Sequence, residues 1–146
     1  MLASLGKLGA ALTLCCAAIG SAAGTGIAGM AAAGSWKKCY TQNKLAPFML
    51  VAFVGLPLTQ TIYGMIIMNA ILRAVEAGTA NIGLLIGGLA GGIAVGAVSW
   101  TKGQAAASAS DALAESGKGF VNYLMVLGVV ETVSLFVMVF ITKSFA

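Results

Sequence analysis

The sequence predicts an all-α membrane protein of four transmembrane helices, organised as two helical hairpins. Of its 146 residues, 60% are hydrophobic and only 8% charged, and the mean hydropathy is +1.00, outside the range of soluble globular domains. Four apolar stretches reach or exceed the ~20 residues of helix needed to cross a ~30 Å hydrocarbon core. A third observation is an order that occurs twice: a glycine-rich stretch, a polar connection, then a bulkier stretch. Lipid offers no partner to an unpaired backbone amide, so these stretches are helices rather than open strands.

The first hairpin is assigned to residues 1–76. Its first span, about 8–34, carries Gly20, Gly24, Gly26 and Gly29. Lys7 followed by an apolar run and Ser21-Ala22-Ala23-Gly24 imitates a secretory signal, but small apolar sequence continues to Gly34, long enough to span. The second span, about 47–72, is bulkier, with Phe48, Phe53, Tyr63, Ile66 and Ile67. Pro47 stands near the first turn, where its missing N–H is harmless. Pro57 is interior and predicts a kink near Thr59 and Gln60.

The second hairpin is assigned to residues 77–146. Its glycine-rich span, about 80–100, is expected to continue past the membrane surface through the alanine-rich residues 105–115. The last span, about 120–142, again carries the larger side chains, among them Phe120, Tyr123, Phe136 and Phe140. Gly20 and Gly24, Gly83 and Gly87, Gly88 and Gly92, and Gly92 and Gly96 all stand four apart, a spacing that lets another backbone approach closely. Glycine on so many faces predicts the inner wall of an assembly rather than one tight pair within a subunit. The bulkier second and fourth spans are expected outside, against lipid.

Charge sets the orientation. Lys37, Lys38, Lys44, Lys102 and Lys118 lie on the side of connections 35–46 and 101–119, against Lys7, Arg73 and Lys143 on the other. The excess puts both connections in the cytoplasm. The net charge of +4 is not gathered into a basic run, so nucleic acid is not an expected partner. There is no histidine, and the three cysteines form no CxxC, which suggests neither a zinc site nor a disulfide framework. Asp111, Glu115 and the lysines read as a solvated face. No nucleophile and base can be paired from this inventory, so the chain is expected to be non-catalytic.

One acid breaks the pattern. Between Phe120 and Thr142 the ionisable groups are Glu131 and Tyr123 alone, and Glu131 stands near the midpoint. A charged group there costs roughly 2.5–3.5 kcal/mol on insertion scales, which points to a used site: an acid that binds and releases a cation. The competing structural role is an acid held by Lys102 as an internal salt bridge. Duplication supplies a second clue, because Leu56, Gln60 and Thr61 of the first hairpin line up with Leu127, Glu131 and Thr132 of the second. One copy thus carries an amide where the other carries the acid. For Thr59 and Gln60, hydrogen bonding between helices is the plainer role.

Gly20-Ser21-Ala22-Ala23-Gly24-Thr25-Gly26-Ile27-Ala28-Gly29 with Ala31 to Ala33, Leu56-Pro57-Leu58-Thr59-Gln60 with Tyr63-Gly64, Gly103 with Ala105 to Ala107, and Glu131-Thr132 form a specific set. Over nearly its whole length the chain resembles, in these residues, the duplicated four-helix proteolipid (the K or c subunit) of bacterial and archaeal V/A-type ATPases. The resemblance implies a homo-oligomeric rotor ring in a prokaryotic cell membrane, turning against a stator subunit and joined to a central stalk. ATP is then handled in a separate soluble head, no cofactor resides on this chain, and H⁺ or Na⁺ is cargo. It also implies an ion site of Glu131, Gln60, Thr59 and Leu56, with Tyr63 bonding the acid when the site is closed; for sodium the first four are the ligands. The position expected to hold a further glutamine carries Lys102, and an ammonium cannot ligate Na⁺. Either Gln104 takes part instead, or the site carries protons. A non-motor channel or cation exchanger built from two hairpins, with matched helix breaks at Pro57 and Gly128, is the alternative.

Overall fold

The structure, a computed structural model, describes residues 2–79 and 81–145. The protein is all-helical: α1 (Leu2–Thr41), α2 (Leu50–Gly55), a 3₁₀ turn (Leu56–Leu58), α3 (Thr59–Glu76), α4 (Ile82–Ser116) and α5 (Phe120–Ser144). Four helices are long and apolar enough to cross a membrane: α1, the α2–α3 unit, α4 and α5. The chain is therefore an integral, multi-pass membrane protein. α4 continues past the assigned span to Ser116, through the alanine-rich residues 105–115, and α1 runs on to Thr41 toward the same end.

α4 continues to Ser116 because alanines favour helix and nothing before Gly117 interrupts it. There the chain must turn back sharply. Gly117 closes α4 in the left-handed region (φ 66°), its N–H bonding Leu113 O, and Gly119 opens α5 at φ 87°.

α1 and α4 form the tightest contact in the molecule. A Cβ on Gly20 would lie 2.2 Å from Gly96 O, one on Gly96 2.6 Å from Cys16 O, and one on Gly103 2.3 Å from Gly24 O. The facing glycines thus let two backbones touch inside one chain. Within the chain the glycine faces of α4 serve two neighbours: Gly88, Gly92 and Gly96 meet α1, while Gly87 and Gly91 meet Phe145 and Ile141 of α5 or its end. Gly26 and Gly34 face open space. The fourth span lies outermost, with Leu127 and Ser134 its only buried residues among those described. The second span is more embedded than expected, burying Phe53, Ile67 and Ile71.

The core has two apolar storeys. Phe53, Leu50, Leu113 and Leu127 fill one, where Phe53 stacks on Phe120 at 5.3 Å; Ile67, Ile71, Leu84 and Val95 fill the other. Between them lies a polar layer.

Candidate ion-binding site

The polar layer starts from Pro57. Lacking an N–H, it cannot continue the helical ladder, and the chain passes through the 3₁₀ turn Leu56–Leu58 before α3 resumes. The α-helical ladder is therefore interrupted at Leu56–Leu58, just before Thr59 and Gln60. Carbonyls at this break gain side-chain donors: Ser99 Oγ donates to Pro57 O at 2.7 Å, and Thr59 Oγ1 lies 2.9 Å from Leu56 O.

Lys102 enters the layer from α4. Its side chain is fully buried, and its ammonium donates to Glu131 Oε2 at 2.8 Å, Leu56 O at 3.0 Å and Thr59 Oγ1 at 3.3 Å. Three N–H groups meet three acceptors, so the buried charge is fully satisfied. The other carboxylate oxygen, Glu131 Oε1, accepts from Tyr63 OH at 2.7 Å. Glu131 itself stays partly open, with 16% of its side chain accessible at the outer helix.

Gln60 completes the layer. It is buried, its Oε1 lies 3.1 Å from Thr59 Oγ1, and its Nε2 donates to Ser134 Oγ at 3.3 Å. Ser134 in turn donates to Glu131 O at 2.8 Å, one turn back on α5.

Leu56, Thr59, Gln60, Tyr63 and Glu131 thus come together from two spans. Two readings are corrected. The acid is not alone in hydrocarbon: the internal salt bridge to Lys102, the competing structural role, is the arrangement observed. Lys102 is not a loop residue either: α4 carries it as part of the inward row Gly96, Ser99, Lys102, Gly103 and Ala106. That three-to-four spacing was the available signal. Gln104 is exposed and takes no part. Removing Lys102 from the cytoplasmic count leaves four basic residues against three, so the charge bias is weaker than the sequence suggested. Ser99 and Ser134 were missed; the spacing of Ser134 three after Glu131 puts both on one face.

Outside the membrane, Lys38 of α1 bonds Glu115 of α4 and lies 3.5 Å from Asp111. These acids are exposed, yet they pin the far ends of the two long helices together instead of forming a purely solvated face.

A helical membrane protein with a carboxylate seated mid-span beside a proline break is the class that this fold and site define. Residues 85–141 match the family model for the C subunit of ATP synthase, a family of ring-forming helical hairpins. The match takes in α4 and α5, with both Lys102 and Glu131, and supports a place among the c-type proteolipids, the rotor components of ATP synthases. A ring of identical subunits is consistent with it. No curated protein matches the chain.

Proposed function

We propose that this chain is the ion-carrying rotor-ring component of a V/A-type ATPase, in its duplicated four-helix form, and that the carried ion is the proton. The observation that carries the reading is Glu131: an acid at mid-membrane, partly open on the outermost helix, within the hairpin that matches the ATP synthase family model. Identical subunits would form the ring, a stator membrane subunit would face α5, and central-stalk subunits would meet the cytoplasmic end. Connections 42–49 and 117–119 lie on that end.

A proton is the simplest cargo for this geometry. Paired as carboxylate and ammonium, the site has no net charge and can face lipid. At one aqueous half-channel the pair gives up one proton to water, leaving the carboxylate beside an uncharged amine with a net charge of −1 that cannot re-enter lipid; a proton taken back from the other half-channel restores the neutral pair. Ion flow is thereby tied to rotation, driven by roughly 2.3 kcal/mol per charge per 100 mV. Tyr63 fixes the carboxylate's second oxygen while the site is closed.

Substituting Glu131→Gln keeps the shape and removes the acid. Ion-coupled ATP hydrolysis by the assembled complex should fall to background; undiminished pumping rejects the role. The exchanger alternative predicts matched breaks in both halves, but α5 passes Gly128 without interruption. Co-purification with soluble ATPase subunits separates the two.

A further inference from the structure

We propose that Lys102 is the resident counter-ion of Glu131 and the residue that closes this site to sodium. The inference rests on the rotor reading and names what that site refuses. Its basis is the set of atoms around the ammonium. Glu131 Oε2, Leu56 O and Thr59 Oγ1 converge at 2.8, 3.0 and 3.3 Å, and Gln60 Oε1 lies 3.1 Å from Thr59 Oγ1.

A carboxylate, a main-chain carbonyl and a hydroxyl gathered around one point are ligands of the kind a hard cation takes in place of water. Here that point is held by a nitrogen already carrying the positive charge. The ammonium is tethered to α4, fully buried, and has no unused donor. A sodium ion would have to displace it from three acceptors and then sit beside it. Exclusion is thus both steric and electrostatic.

The ammonium reaches this point because α4 lies so close to α1. Gly103, next to Lys102, takes the backbone contact with Gly24, so the lysine is directed across the layer to Leu56 and Glu131. Tyr63 bonds the opposite carboxylate oxygen and does not compete.

The test compares native, Lys102→Arg and Lys102→Gln chains in assembled complexes, reading ²²Na⁺ binding to the ring and carbodiimide labelling of Glu131. Carbodiimides attack a protonated carboxyl, so an acid held as the ion pair should label slowly. The native and arginine rings should bind no sodium above background, and sodium should not alter their labelling. Lys102→Gln removes the like charge and adds an amide oxygen; sodium affinity should rise by about a hundredfold or more, and sodium should protect against labelling. Sodium binding by the native ring overturns the proposal without any variant, as does rapid native labelling that sodium slows. An assembled glutamine ring indifferent to sodium overturns it as well. Glu131→Gln in the same preparation keeps the two readings apart: pumping that survives it defeats the rotor assignment, whereas a sodium response in the native chain defeats only the role of Lys102.

Discussion

At the scale of single residues, the polar layer behaves as a closed circuit in which each side chain satisfies the next. Ser134 accepts from Gln60 and donates to the carbonyl of Glu131. Ser134→Ala should leave the buried amide of Gln60 without its acceptor and lower stability by about 1–3 kcal/mol. Denaturant unfolding of the detergent-solubilised protein checks this, and an unchanged midpoint counts against the bond. Glu131 was legible because one acid in an apolar span is costly. Lys102 was legible as the partner in a competing salt bridge but not as a buried residue, because it stands two residues past Trp100 and reads as the first charged residue of a connection. Only the continuation of α4 to Ser116 turns that position inward.

At the scale of elements, the pairing of α1 with α4 depends on positions where a single methyl group cannot fit. Gly96→Ala would place its Cβ 2.6 Å from the carbonyl of Cys16, and the helices must separate. A loss of about 1–3 kcal/mol is expected, with lowered thermal stability in detergent, while Gly26→Ala, which meets open space, should be neutral. Equal effects at both sites would show that the close approach is not what glycine supplies. The four spans and the long α4 were readable from apolar length and alanine content. The pairing was not: glycine spacing marks a flat face, but nothing in one sequence says whose backbone lies against it.

At the scale of the whole molecule, charge acts at the far, C-terminal ends of α1 and α4. The bond to Lys38 holds Glu115 below the usual carboxylate range, and the bond to Glu115 holds Lys38 above its usual value of 10.5. A lowered acid stabilises the fold above its unfolded value, and that contribution is lost as pH falls through the folded one. A raised base stabilises it below its unfolded value, and that contribution is lost as pH rises past the folded one. The clamp should therefore be complete across neutral pH and open at either extreme. Spin labels at Thr41 and Ser116 should report a narrow distance distribution at pH 7 that broadens in acid, and Glu115→Gln should broaden it at neutral pH already. A width independent of pH would remove the clamp.

Two hairpins sharing a single acid have a further result. Gln60 occupies in the first half the station that Glu131 occupies in the second, and its amide is already committed to Ser134. On the rotor reading proposed above, a wheel assembled from such units would have one cargo berth for every pair of hairpins. Each ATP would then work against a smaller quota than in a wheel with a berth in every hairpin, and every ion could be driven up a steeper electrochemical hill.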